Sequence, residues 1–233
     1  MQIVILCGGE GKRIKKLFPK KPKGLIEINK KPFMEHIFES LIKNGMKDIV
    51  MCTGIGHEDY FSYFGNKFDG LNISYSKDPK NQSLGTGGAI LNASDLLNDI
   101  FFVQYGDTLL DINYKLVLDS HINSKKNMTM TVLPISKSEE KPNVFFDSKE
   151  GLVKYAKGSN SESFQYIDYG LLLFNKSEIL KYRSLINKNL DLGFIQSDLC
   201  ESNNCNLFFA NKKYLEIGTP KSYYCTKNKL ASL

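Results

Sequence analysis

Gln2-Ile3-Val4-Ile5-Leu6-Cys7-Gly8-Gly9-Glu10-Gly11-Lys12-Arg13 is the stretch on which the reading of this chain turns. From Ile3 to Cys7 every residue is apolar, as in a parallel strand buried on both faces, with none of the alternation of a half-exposed strand. The run breaks into three glycines, so a loop of bare main chain leaves the carboxyl end of a central strand. Successive backbone N–H groups in such a loop can form an anion-binding concavity. Arg13 adds a planar fork matched to phosphate oxygens, and Lys23, just after Pro22, adds a mobile point charge. A nucleoside triphosphate is the ligand these parts suit. Neither of the two best-known phosphate loops is present: the third glycine of G-x-G-x-x-G is missing, and no Gly-Lys-Ser/Thr follows at P-loop spacing. On glycines alone a generic turn stands as the alternative. The ordered set of strand, Gly-Gly-x-Gly-x-Arg and Pro-Lys-x-Leu-Ile is more specific.

The 233 residues suffice for one sizeable core, and no linker, repeat or low-complexity tract divides them, so a single α/β domain is expected over 1–233. The formal charge of +6 is concentrated: between Lys12 and Lys31 eight Lys and one Arg face only Glu10 and Glu27. Such a cluster beside a glycine loop suits a polyanionic small molecule at least as well as nucleic acid. With no tryptophan and no recognisable RNA or DNA motif, nucleic acid is set aside as a partner. Five cysteines without a C-x-x-C pair indicate neither a disulfide framework nor a zinc site, and fit a reducing cytosol. The first apolar run is short and has no basic segment before it, and nothing approaches membrane-spanning length. A cytoplasmic protein with no membrane partner is expected. The residues do not set the oligomeric state, and a homodimer is compatible with them.

Along the chain, Pro32 to Asn44 places Phe33, Ile37, Phe38, Leu41 and Ile42 on one helical face, and Asp48 to Cys52 reads as a second buried strand. Strand, helix and strand make a βαβ unit with a right-handed crossover. The aromatics Tyr60, Phe61, Tyr63 and Phe64 suggest core packing, and Leu71 to Tyr75 alternates as a strand. Leu84 to Leu97 opens with Gly85-Thr86-Gly87-Gly88 and becomes helical; a glycine-rich helix start offers backbone donors, and a packing cluster of glycines is the alternative. Phe101 to Tyr105 is a strand that ends in Gly106-Asp107, the position where open α/β sheets bind ligands. An Asx turn or helix cap would explain Asp107 equally, and Asp111, four residues on, could cap the next helix and is a weaker candidate. Met128 to Pro134 is a strand, and Asn143 to Tyr155 a hairpin. Thr219-Pro220 starts a C-terminal helix. The strand ends predict a mixed, mainly parallel sheet flanked by helices, with Gly8 to Arg13, Gly85 and Asp107 meeting at one edge.

Four blocks carry a family resemblance: Gly8 to Arg13 with Pro22-Lys23-Gly24-Leu25, Leu84 to Ala89, Tyr105-Gly106-Asp107-Thr108, and Leu215-Glu216-Ile217-Gly218-Thr219-Pro220. In this order, over nearly the whole chain, they resemble the sugar-1-phosphate nucleotidylyltransferases, which have a Rossmann-like fold of the nucleotide-diphospho-sugar transferase type. Within the family the chain looks most like the short bacterial enzymes that nucleotidylate heptose 1-phosphates. That likeness implies GTP and a manno-configured heptose 1-phosphate as substrates. Gln82 carries both a donor and an acceptor and would serve guanine or a pyrimidine equally, so a cytidylyl-, uridylyl- or thymidylyltransferase acting on another sugar phosphate or phosphorylated small molecule is the alternative. It implies a nucleotide-binding half, about 1–112, made of Leu6, Gly8, Gly9, Glu10, Gly11, Lys12, Arg13, Lys23, Gln82, Ser83, Gly85, Thr86 and Asp107. Gln82, Ser83 and Gly85 would face the base. A sugar-phosphate half, about 113–233, would act with Gly106 and contribute Lys157, Asp168, Tyr169 and Gly170. Asp107 and Glu216 would hold Mg²⁺, although relatives usually have aspartate where Glu216 stands. Lys157 lacks the flanking glutamate and proline of its counterpart, having Ala156 and Gly158 instead, and an exposed lysine without a role is the other reading.

The implied reaction is attack of a sugar-1-phosphate oxygen on the α-phosphorus of the triphosphate, releasing pyrophosphate. Its nucleophile is already an anion, so no general base is needed, and no serine elbow or Cys-centred motif is seen. Arg13 and Lys23 would neutralise charge as catalytic cations, with Arg13 on the β- and γ-phosphates and Lys23 beside the α-phosphate. Two other classes fit the residues less well. A dinucleotide-dependent oxidoreductase lacks its ribose carboxylate, because Lys30 and Lys31 stand about 20 residues after Gly11. A nucleotide-sensing module without turnover would not need Asp107 and Glu216.

Overall fold

The first apolar run forms the strand Gln2–Leu6 at the centre of a ten-stranded sheet. A computed structural model describes residues 1–80, 82–138, 140–158 and 163–232. Gln2–Leu6 pairs in parallel with Asp48–Thr53 on one side and Ile100–Tyr105 on the other, and Asp48–Thr53 pairs in parallel with Leu71–Lys77. Side chains alternate across this sheet: Ile3 and Ile5 enter one core layer, and Val4 enters the other. Phe33–Lys43 covers the first layer with Phe33, Met34, Ile37, Phe38 and Leu41, as its apolar spacing predicts. The helices Gly85–Asn92 and Leu192–Glu201 cover the other. Burial of each such Leu, Ile or Phe contributes roughly 1.5–3 kcal/mol, which makes the two layers the main source of stability.

Beyond Ile100–Tyr105 the sheet becomes mixed. The long strand Tyr166–Asn175 runs antiparallel to it and also pairs with Met128–Pro134, with a register shift between Asp168 and Leu172. The hairpin of Val144–Asp147 and Leu152–Tyr155 extends this side, and Cys205–Phe209 adds in parallel to Met128–Pro134. The chain turns outward in one direction from Gln2–Leu6 through Asp48–Thr53 to Leu71–Lys77, then crosses back to Ile100–Tyr105 on the other side. A crevice therefore opens at the carboxyl ends of Gln2–Leu6 and Ile100–Tyr105, the switch point where α/β sheets take ligands.

Three expectations need adjustment. The helix read over Leu84 to Leu97 stops at Asn92, and a 3-10 turn, Ser94–Leu96, follows. Asp111 is not the cap of Tyr114–Ser124: the Asn113 side chain accepts from Leu116 N–H, while Asp111 pairs with Lys212 at 2.8 Å. Of the four aromatics in His57–Phe64, Tyr60 and Phe64 are buried, and Phe61 and Tyr63 are exposed.

Candidate active site

The glycine loop leaves Gln2–Leu6 and turns at Gly11, whose carbonyl accepts from the N–H groups of Ile14 and Lys15. Gly106 N–H donates to the Leu6 carbonyl at 3.0 Å, which ties the start of this loop to the Gly106-Asp107 turn. A cavity of about 220 Å³ opens there. Leu6, Gly8, Gly9, Lys23, Ser83, Gly85, Thr86, Gly106 and Asp107 line it, so three separate sequence blocks converge. A second hollow beside it is lined by Glu10, Gly11, Lys12, Arg13, Lys23 and Gly218. Lys23 is common to both, at the border between a largely apolar cleft and a cationic one. It is positioned by its neighbour, since Gly24 N–H donates to the buried Tyr60 hydroxyl at 3.0 Å.

Lys23 Nζ sits 2.7 Å from Asp107 Oδ2, with both side chains about one-fifth exposed. Glu216 reaches the same space through a two-residue ribbon, in which Leu215–Glu216 pairs antiparallel with Thr108–Leu109 and Ile217 N–H donates to the Asp107 carbonyl. A Cβ added to Gly218 would lie 3.1 Å from Glu216 Oε2, 3.6 Å from Arg13 Nη2 and 3.7 Å from Asp107 Oδ2. The glycine thus leaves open a cradle in which two carboxylates and a guanidinium meet. Burial pushes the Glu216 carboxyl above its ordinary range, and the Asp107 charge adds to the rise, while a hydrogen bond from Ser222 and the Arg13 charge oppose it. Among the described residues no three His, Cys, Asp or Glu side chains gather as a complete metal-ligand set. A pair of carboxylates with open space beside them is the donor set that fits Mg²⁺, whose remaining ligands are waters and substrate phosphates.

The Gly85-Thr86-Gly87-Gly88 segment serves packing more than ligand capture. Gly87 and Gly88 spend their N–H groups on the Leu190 carbonyl, at 2.8 and 3.2 Å. Gly85 has φ +76°, and a Cβ there would lie 2.4 Å from the same oxygen. Only the cavity-facing side of Gly85 and Thr86 remains for a ligand. Gln82 is not on the cavity wall: its amide reaches Asn187 Oδ1 at 3.3 Å.

On the sugar side the outcome is divided. Asp168 is half-buried and accepts from Gly170 N–H at 2.9 Å and from Gln196 Nε2 at 2.7 Å. Burial raises its carboxyl despite these two bonds. Gly170, with φ +87°, makes the kink beside Tyr105, which lines the main cavity. Tyr169 points the other way, because adjacent strand residues face opposite sides. It is fully buried and packs edge-on against Tyr214, so it belongs to the core and not to the expected sugar-facing wall. Lys157 pairs with Asp191 at 2.7 Å and stays largely exposed.

Sequence reasoning passed over Asp78, Tyr105 and Gln196. Asp78 and Tyr105 line the main cavity. Asp78 follows the strand Leu71–Lys77 at the same sheet edge, so the strand-end rule that singled out Asp107 applied to it too. Gln196 had no such signal. It is buried on Leu192–Glu201 and reaches Asp168 only through the tertiary fold, and its Oε1 is without a hydrogen-bond partner among the described residues.

Fold and site together define an enzyme that transfers nucleotidyl groups, and the chain belongs to the nucleotidyl transferase family, whose model matches residues 2–232. It is similar, at 30% identity over 225 residues, to D-glycero-α-D-manno-heptose 1-phosphate guanylyltransferase of Aneurinibacillus thermoaerophilus, covering 96% of this chain and 95% of that protein. A protein of the same name from Campylobacter jejuni is 42% identical over 115 residues, 48% of this chain and 50% of that protein. Among solved structures, HddC from Yersinia pseudotuberculosis shares the fold with a TM-score of 0.78 at 22% identity, covering 98% of this chain and 99% of that one. A putative glucose-1-phosphate thymidylyltransferase from Bacillus anthracis does so with a TM-score of 0.85 at 18% identity, covering 100% of this chain and 96% of that one.

Proposed function

We propose that this protein joins GTP to a manno-configured heptose 1-phosphate, giving a GDP-heptose and pyrophosphate. The observation that carries the reading is the meeting of Arg13, Lys23, Asp107 and Glu216 beside the glycine loop. The full-length likeness to a heptose 1-phosphate guanylyltransferase supports the choice of substrates. A phosphate oxygen of the sugar phosphate forms a bond to the α-phosphorus. The bond from that phosphorus to its bridging oxygen breaks, and pyrophosphate leaves with the electron pair. No proton needs to move, so the work is positioning two anions that repel and neutralising charge as it builds.

Arg13 and Lys12 hold the β- and γ-phosphates in the cationic hollow. Lys23, at the border, turns from Asp107 to the α-phosphate and the incoming anion. Asp107 and Glu216 would hold Mg²⁺, which when bound would neutralise charge on the substrate phosphates. On the sugar side Asp168, oriented by Gln196 and Gly170, accepts from a sugar hydroxyl. On this reading a nucleotide half of about residues 1–112 works with a sugar-phosphate half of about 113–233, and Glu216 crosses between them. Five free cysteines support a reducing cytoplasm as the working compartment. A matrix of the four NTPs and dTTP against mannose, glucose and heptose 1-phosphates, read by pyrophosphate release, tests the reading. GTP with heptose 1-phosphate is expected to lead, and preference for CTP, UTP or dTTP, or for a non-sugar phosphate, would overturn the substrates while leaving the transfer chemistry.

A further inference from the structure

The positive charge of this chain sits almost entirely in one segment. Residues 11–26 hold six Lys, one Arg and no carboxylate, which exceeds the formal charge of +6 for the whole chain and leaves the rest of the molecule slightly acidic. The phosphate chemistry takes three of these cations, Lys12, Arg13 and Lys23. Lys15, Lys16, Lys20 and Lys21 have no part in it. Lys21 meets Glu27 at 2.6 Å in an exposed contact, and Lys15, Lys16 and Lys20 pair with no carboxylate among the described residues.

The backbone fixes which way these side chains point. Two successive turns, closed by the Gly11 and Ile14 carbonyls, wind residues 11–18 in helical fashion. Ile14 and Phe18, four residues apart, face inward: Ile14 is buried, and the Phe18 ring packs edge-on against Tyr223 of the helix Pro220–Ala231 at 5.1 Å. Lys16 points directly away from them, and Leu17 lies on the flank, 38% exposed. Pro19 ends the turns, and Lys20 and Lys21 continue the exposed rim. An aliphatic tip is thus held among lysines on a loop anchored to the core.

A cationic face of this kind calls for an anionic partner, and the residue types say which. Lysine is a point charge on a flexible stem, without the planar fork that arginine offers to a single phosphate or a base edge, so four lysines suit charge spread over a plane better than a shaped group. Single-stranded nucleic acid is held by aromatic rings that stack on its bases. The aromatic ring in this segment, Phe18, is spent on Tyr223, and the exposed apolar side chain is aliphatic. Lysines around a leucine fit the headgroup layer of an anionic bilayer, where the charges meet lipid phosphates and the leucine enters the acyl boundary. We propose that the face formed by residues 15–21 docks this protein on membranes rich in anionic lipid. Such attachment needs no spanning helix, and it departs from the expectation of no membrane partner, which rests on span length.

The test sediments the full chain with vesicles of phosphatidylcholine alone and of an equimolar mixture with phosphatidylglycerol. At low salt the protein should bind the anionic vesicles and leave the neutral ones, and about 1 M salt should release it, because screening then acts within about 3 Å. Each lysine near the surface is worth roughly fivefold in partitioning, so Lys16→Glu/Lys20→Glu, two charge reversals, should weaken binding on the order of 10²-fold. Leu17→Ser should weaken it a few-fold without changing its salt dependence. Both variants should keep the wild-type kcat. No binding to anionic vesicles at low salt, equal binding to both kinds, or unchanged partitioning of the double variant overturns the proposal. Tighter binding to duplex DNA than to the anionic vesicles, likewise lost in the double variant, gives the face to nucleic acid and overturns the bilayer as its partner. The vesicle readouts use no substrate, so their failure is separate from a failure of the guanylyl-transfer reading.

Discussion

Lys23 and Asp107 neutralise each other before any substrate arrives, so each is held where the reaction needs charge. Lys23→Ala and Asp107→Ala should both keep the fold, by circular dichroism, and each should lower kcat on the order of 10²-fold or more, as removal of a preorganised charge does. Near-wild-type kcat in a folded Asp107→Ala would remove it from the site. Glu216 gives a signed pH effect. Its carboxyl is raised, so the folded protein holds that proton more tightly than the unfolded chain, and stability falls as pH rises through the window from the ordinary glutamate value to the raised one. At neutral pH Glu216→Gln should therefore raise the Tm of the metal-free protein while weakening Mg²⁺-dependent activity. The Mg²⁺ requirement of the wild type should also rise at a higher pH than an unperturbed glutamate would give. A metal-free Tm that falls, or an unchanged Mg²⁺ titration, would leave Glu216 a structural residue. Gly218→Ala puts a methyl group 3.1 Å from Glu216 Oε2, and turnover should drop with little change in Tm.

The Gly85–Asn92 helix is set by contacts from far along the chain, because Leu190 supplies the carbonyl that satisfies its first turn. Gly85→Ala meets both a positive φ and a backbone oxygen at 2.4 Å, so it should cost more than about 1 kcal/mol in urea unfolding and should lower activity through the cavity wall. Elements were legible where local pattern sufficed: the Gln2–Leu6 strand, the Phe33–Lys43 helix and the Val144–Tyr155 hairpin follow from apolar spacing. Gly11, Arg13, Lys23 and Asp107 were legible because strand ends and glycine loops are local too. What pattern could not show was non-local. Leu190 takes the Gly87 and Gly88 donors, Asn113 displaces Asp111 as cap, and the kink at Gly170 with strand alternation parts Asp168 from Tyr169. Glu216 was legible only through the family resemblance, since its two-residue ribbon has no periodicity to read.

At the scale of the molecule, one topological feature makes the site. The chain leaves Gln2–Leu6 in two directions, and the gap between them receives the glycine loop, the Asp107 turn and, by the ribbon to Thr108–Leu109, the C-terminal Glu216. The closing helix Pro220–Ala231 holds this arrangement through the Thr219 capping box and a Thr226 hydroxyl that donates to the Glu216 carbonyl at 2.7 Å. No helix among the described residues is long and apolar enough to cross a membrane. The central claim is that the cleft directs attack to the α-phosphorus. The most direct measurement follows the label from α- and γ-labelled GTP incubated with heptose 1-phosphate and Mg²⁺. The α label should appear in a GDP-heptose and the γ label in pyrophosphate, and Asp107→Asn should slow the appearance of both together. Transfer of the γ label to the sugar, or its release as inorganic phosphate, would contradict the account.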